Sequence, residues 1–125
     1  MEHDGFVRLM QTIADAWNAG DTERALACFA DDAVYLEPPD EQRYEGRAAL
    51  YAFFGGEDPP PMHMEWHHLV VEGNVGVGEY TYRGTNQYHG LVIVQLRNEV
   101  IARWREYQTR SPLPFDEFVG PSRFA

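Results

Sequence analysis

The 125-residue chain contains no lysine; its ten basic residues are all arginines, set against twenty acidic residues for a formal net charge of −10. The arginines are scattered from Arg8 to Arg123 without forming a basic stripe. A nucleic-acid partner is therefore not expected, because phosphate backbones are met by clustered cations. The same acidic field repels anionic lipid surfaces and anionic metabolites, although one local arginine can still hold a carboxylate. Long apolar runs are missing too: nothing approaches the ~18 consecutive apolar residues of a membrane span. The opening Met1-Glu2-His3-Asp4 is acidic where a secretory leader is basic. No membrane contact and a cytoplasmic location are the expectations. Cysteine is almost absent. Cys28 has no partner for an internal disulfide, which fits a reducing compartment, and beside Phe29 it reads as a small core residue rather than a nucleophile. No phosphate cradle is present, since Gly73 to Gly78 is followed by neither a helix nor a lysine, and Ser111 and Ser122 lack an elbow motif.

What is present fits one compact domain spanning residues 1–125, with a core over 5–110 and a tail over 111–125 that packs across a surface or a pocket mouth. Phe6, Leu9, Met10, Ile13 and Trp17 recur at helical spacing and predict an opening helix, stopped by Gly20. Asp21 can cap a second, short helix carrying Ala25 and Leu26. Ala33 to Glu37 reads as a strand stopped by Pro38-Pro39. A polar loop follows, then a third helix over Arg47 to Phe54. The run Glu57-Asp58-Pro59-Pro60-Pro61 is an extended linker. Four strands follow, Met62 to Val71, Val75 to Gly84, Tyr88 to Leu96 and Val100 to Thr109, joined by short connections that imply antiparallel neighbours. Helices first and a meander after them point to the α+β class.

Several words of this sequence resemble a known superfamily. Trp17-Asn18-Ala19-Gly20-Asp21, Phe29-Ala30-Asp31-Asp32-Ala33-Val34, Tyr44-Glu45-Gly46-Arg47 and Trp104-Arg105-Glu106-Tyr107 together look like the nuclear transport factor 2-like, or SnoaL-like, domains. The resemblance covers most of residues 5 to 110. It implies a cystatin-like α+β barrel: a cone-shaped, curved mixed β-sheet wrapped around a long N-terminal helix, with three helices in total. It also implies pairing into homodimers through the outer face of the sheet, here Leu91, Ile93, Gln95, Arg103, Arg105 and Tyr107. The superfamily holds ketosteroid isomerases, polyketide cyclases, limonene epoxide hydrolases and non-catalytic modules, so the fold leaves the reaction open. Glu37 stands where ketosteroid isomerases carry their proton-shuttling aspartate, while Ile13 and Val92 stand where they have a tyrosine and a protonated aspartate. Against the epoxide hydrolases, Glu106 matches a catalytic aspartate and Tyr35 a water-positioning tyrosine. Glu37 falls on their asparagine, and Glu79 and Thr81 on their arginine and second aspartate.

Strand alternation puts Trp104, Glu106 and Gln108 on one face and Arg103, Arg105 and Tyr107 on the other, and groups Val77, Glu79, Thr81 and Arg83. With the sheet oriented as the resemblance implies, Glu106, Glu79 and Glu37 reach the concave face with Tyr35, Trp17, Tyr88 and Trp104. Three carboxylates in one small cavity cannot all ionise cheaply, so at least one titrates above its free value. Such a group suits proton transfer on a neutral, cyclic or aromatic molecule. The catalytic candidates are Glu106, Glu37, Tyr35 and Glu79; the substrate-binding candidates are Trp17, Tyr88, Trp104, Val92 and His68. Each glutamate also has a structural reading: Glu106 in an ion pair with Arg83 or another arginine, Glu37 as a cap at the rim, and Glu79 beside glycines that mark a bulge or a close backbone approach. Among the histidines, His63 and His67 lie about 13 Å apart on a strand, and His67 and His68 face opposite ways, so no metal site is expected. His67 or His68 could serve as an acid or base. No cofactor is expected. The function expected is a pocket enzyme of isomerase, lyase or hydrolase type, with a non-catalytic binding or association module of the same fold as the alternative.

Overall fold

A computed structural model describes residues 1–124; residue 125, the end of the expected tail, lies outside the described residues. The opening helix, α1 (His3–Asn18), buries Phe6, Met10 and Ile13 completely, as their spacing requires. Asp21 caps α2 (Thr22–Leu26), its Oδ1 accepting from the backbone N–H of Arg24 at 3.1 Å. Then come β1 (Phe29–Glu37), β2 (Gln42–Glu45) and α3 (Arg47–Phe53), followed by β3 (His63–Glu72), β4 (Val75–Arg83), β5 (Gln87–Arg97) and β6 (Val100–Arg110). A fourth helix, α4 (Phe115–Val119), and a single 3-10 turn over Gly120–Ser122 close the described chain.

All six strands form one sheet in the order β2-β1-β6-β5-β4-β3. β3 to β6 run antiparallel as a meander, whereas β1 joins β6 in parallel, which makes the sheet mixed. α1 crosses the concave face and is fastened to β3 along its length. The indole N–H of Trp66 donates to the Met10 carbonyl at 2.8 Å. Asn18 accepts from the Met64 N–H at 2.7 Å and donates to the Met64 carbonyl at 2.9 Å. The core fills the space between this helix and the sheet.

Three sequence expectations need correction. The polar loop after Pro39 contains an edge strand, β2, paired antiparallel with β1 from Val34↔Glu45 to Glu37↔Gln42; its residues are polar because an edge strand need bury little. There are four helices rather than three, because Phe115–Val119 turns once inside the proline-bearing tail. The expected strand at Ala33 starts four residues earlier, at Phe29, with a register irregularity against β6 between Phe29 and Val34. The tail itself packs on the convex face, where Phe115 stacks on His67 at 3.6 Å and Phe118 lies 4.3 Å from the His89 ring. No helix is long and apolar enough to cross a membrane among the described residues.

Candidate active site

The open end of the cone holds a cavity of about 280 Å³. Each β-strand lends it alternate side chains, and the ladder registers fix which ones. Trp104 pairs with Tyr35 and with Val94, Glu106 with Val92, and Gln108 with Gly90. Residues that pair share a face, so Tyr35, Trp104, Glu106 and Gln108 all turn inward. Gly90 pairs with Tyr80 and Tyr88 with Tyr82, which brings both β4 tyrosines to the same side. α1 adds Trp17, and the segment around α3 adds Phe53 and Phe54.

The polar contacts of the cavity centre on Glu106. The residue is 4 % exposed, and its Oε1 accepts two hydrogen bonds, from the Tyr35 hydroxyl at 2.5 Å and from the Trp104 indole N–H at 2.8 Å. Neither donor touches Oε2, which is left to the cavity. Burial raises the Glu106 pKa, and the two hydrogen bonds pull against that rise because they favour the charged form. The Tyr35 hydroxyl is pushed well above the usual phenol range, first by burial and then by the Glu106 charge, so it stays a donor. Tyr80 is pushed up for the same two reasons and donates to Gln108 Oε1 at 2.8 Å.

Glu37 lies one step behind the lining. The parallel register Leu36↔Arg105, continued by one residue, sets it beside Glu106. Its pKa is raised by burial and then by the Glu106 and Glu41 carboxylates. Its Oε2 is buried and has no partner among the described residues, an arrangement that favours the protonated carboxyl. The ring system is continuous around the two acids. Tyr35 stacks on Trp104 at 5.3 Å with 10° between planes, and Trp17 meets Trp104 edge-on at 5.5 Å.

Of the residues singled out from sequence, the structure brings Glu106, Tyr35, Trp17, Tyr88 and Trp104 to the cavity, with Glu37 adjoining. Val92 is fully buried beneath it and is core rather than lining. Glu79 and His68 do not belong there. Glu79 pairs with Leu91 and His68 with Glu79, so both stand on the convex face, where the Glu79 carboxylate meets His68 Nδ1 at 2.7 Å. The inward residues of β4 are Tyr80 and Tyr82, one position away. Accordingly the arginine and second aspartate of the epoxide hydrolase pattern, which fall on Glu79 and Thr81, have no counterpart in the cavity. Glu106 forms no ion pair with Arg83 or any other arginine among the described residues. Sequence reasoning missed Tyr80, Tyr82, Gln42 and the pair Phe53-Phe54 as lining. The signal for the tyrosines was present, because large aromatics at every second position of a strand mark its buried side.

Comparison with known proteins bears on the fold. No curated protein matches the chain. Among solved structures, a putative ketosteroid isomerase from Kribbella flavida aligns at 20% identity with a TM-score of 0.75, covering 98% of this chain and 93% of that one. An LEH-like epoxide hydrolase of M. tuberculosis aligns at 16% identity and TM-score 0.74, covering 87% and 86%. A protein of ketosteroid isomerase-like fold from Catenulispora acidiphila, in complex with trimethylamine, aligns at 18% identity and TM-score 0.69, covering 79% and 83%. At such identities the likeness concerns the fold. The SnoaL-like domain model matches residues 10–108, from the middle of α1 to the inward Gln108, and the chain belongs to that family.

Proposed function

We propose that this protein is a cofactor-independent enzyme that moves a proton on a small molecule bound in the cone. One observation carries the reading: a nearly inaccessible carboxyl, Glu106, is clamped through one oxygen by Tyr35 and Trp104 while its other oxygen is left to an aromatic cavity. A carboxyl with a raised pKa transfers protons near neutral pH, and a fixed orientation aims that transfer at one substrate atom. Two coupled acids in one site ionise in turn. The donors on Glu106 favour its ionised form, whereas the donor-free Oε2 of Glu37 favours a retained proton. Glu106 is therefore assigned as the base that accepts at Oε2, and Glu37 as the neighbouring acid that supplies or holds a proton. Isomerase, lyase and hydrolase reactions can each use such a proton transfer. The Catenulispora protein shows that a chain of this fold can be complexed with a small organic amine.

The test is a carboxyl titration by NMR on protein labelled in its glutamates, with Glu106→Gln used for assignment. A signal that titrates above the usual carboxylate range and vanishes in the variant supports the reading. If Glu106 titrates with the surface acids, the cavity belongs to a non-catalytic binding module instead. The same proposal includes a homodimer formed through the convex side of β5 and β6, where Leu91 and Tyr107 remain 39% and 47% exposed. Sedimentation that finds only a 14.4 kDa species removes that part.

A further inference from the structure

Buried carboxylates are paired with a cation or heavily hydrogen-bonded, since an unpaired charge in a poorly hydrated site is costly. Glu106 has two neutral donors on Oε1 and no cation. Among the described residues no arginine or histidine lines the cavity. Arg103 and Arg105, nearest in sequence, alternate with Trp104 and Glu106 and so stand on the convex face. The neighbouring Glu37 is a carboxyl as well, with Glu41 beside it.

The walls make the same demand by a different route. Eight of the fourteen lining residues are aromatic, among them Trp17, Tyr35, Tyr82, Tyr88 and Trp104. Aromatic faces carry negative charge density, and several rings around one void form a cage that attracts alkylated ammonium groups over uncharged groups of equal shape. An anion would meet Glu106 and Glu37 in a chain whose net charge is already −10. An uncharged ligand would fill the volume but could not favour the carboxylate form of Glu106. The volume of about 280 Å³ limits the occupant to a small molecule.

We propose that the ligand of this cavity is a small organic cation, an amine whose nitrogen carries alkyl or aryl groups, bound with its charge at Glu106 Oε2 and its substituents against the aromatic walls. The inference rests on Glu106 being the working group of the cavity and adds the class of molecule that group receives. It has a thermodynamic consequence. A fixed positive charge beside Glu106 favours the carboxylate, so binding of a quaternary ammonium expels the proton that burial retains.

The experiment compares phenyltrimethylammonium with its uncharged isostere tert-butylbenzene on the full chain, reading the fluorescence of Trp17 and Trp104 at pH 6. Calorimetry of the ammonium in buffers of different ionisation heat counts the protons released. The expected result is at least tenfold tighter binding of the cation, with proton release, and loss of the preference in Glu106→Gln. That variant keeps a carbonyl oxygen for Tyr35 and Trp104, and proton release from the unmodified protein provides a readout independent of it. Equal or tighter binding of tert-butylbenzene, or binding of neither compound, overturns the inference. The two readings fail separately. A raised Glu106 titration with no charge preference leaves the proton-transfer function standing, whereas a charge preference with an ordinary titration leaves a cation-binding cavity without acid–base chemistry.

Discussion

Two hydrogen bonds on one oxygen give the two oxygens of Glu106 different duties. Oε1 is engaged by Tyr35 and Trp104 and fixes the carboxyl in space, while Oε2 is free to exchange a proton. Removing the group and removing its support should therefore differ. Glu106→Gln preserves the acceptor at Oε1 but ends proton exchange, and should reduce turnover by about 10²- to 10⁴-fold, the usual contribution of a positioned acid or base. Tyr35→Phe deletes one of the two bonds that lower the Glu106 pKa, so its pH–rate profile should move to higher pH with the fold intact. A profile that stays in place or moves to lower pH would show that Tyr35 does not support the charged form. Sequence alone grouped Trp104, Glu106 and Gln108 on one face, because a period of two follows from strand geometry. For β4 it turned the wrong face inward, that of Glu79. Gly78, Tyr80 and Tyr82 alternate with Val77, Glu79 and Thr81, and the ladder register against β5 puts the tyrosines inside.

The glycines of β4 show what an element owes to its neighbours. A Cβ on Gly76 would lie 2.3 Å from Cζ of Phe6, and one on Gly78 would lie 2.6 Å from the Trp66 ring. The concave side of β4 is thus kept bare so that α1 can seat a fully buried phenylalanine directly on the backbone. Gly76→Ala should cost about 1–3 kcal/mol in chemical denaturation, the range for overpacking a filled core; an unchanged midpoint would mean that α1 does not press on β4 as described. The β5–β6 turn is the reverse case, a site where glycine is missing. Asn98 and Glu99 both have positive φ, 54° and 66°, as a two-residue hairpin turn matched to strand twist requires. Glutamate is a poor occupant there, with a left-handed cost of about 1–2 kcal/mol, partly offset because glycine loses about 0.5–1 kcal/mol more in backbone freedom. Glu99→Gly should raise stability by up to about 1 kcal/mol, and a lowered melting temperature would contradict it. The long elements were legible because periodicity repeats along them. β2 and α4 were not, because four residues with one aromatic, Tyr44, at an edge and one helical turn amid prolines are too short to repeat a period.

The whole molecule carries opposed titrations on the two faces of its sheet, and these predict its pH dependence. Inside the cone, the raised pKa values of Glu106 and Glu37 mean that the folded protein holds protons the unfolded chain releases. That contribution is fully present below the ordinary carboxyl range and is lost as pH rises through the folded values. On the convex side the sign reverses. His67 is lowered from the ordinary 6.5, chiefly by burial, with His68 and His89 adding to the fall and Glu65 and Glu79 opposing it. Its contribution is present above that value and is lost as pH falls through the folded one. The Leu113 carbonyl can only accept, so His89 Nε2 donates to it at 2.8 Å. The Thr81 hydroxyl bridges His89 Nδ1 at 2.8 Å and His67 Nε2 at 2.7 Å. Phe115 covers the His67 ring at 3.6 Å, and Asp116 and Arg123 share the adjoining pocket with it, so acid should loosen the tail before it loosens the cone. The two contributions therefore oppose each other as pH rises: the carboxyl contribution falls from the ordinary carboxyl range upward, and the His67 contribution grows up to the ordinary imidazole value. Glu106→Gln should remove part of the fall alone, while His67→Gln, which keeps a donor toward Thr81, should remove the growth alone. Urea unfolding at intervals from pH 5 to pH 9 measures both, and a difference between Glu106→Gln and the unmodified chain that is constant across the series would mean that Glu106 holds no extra proton when folded.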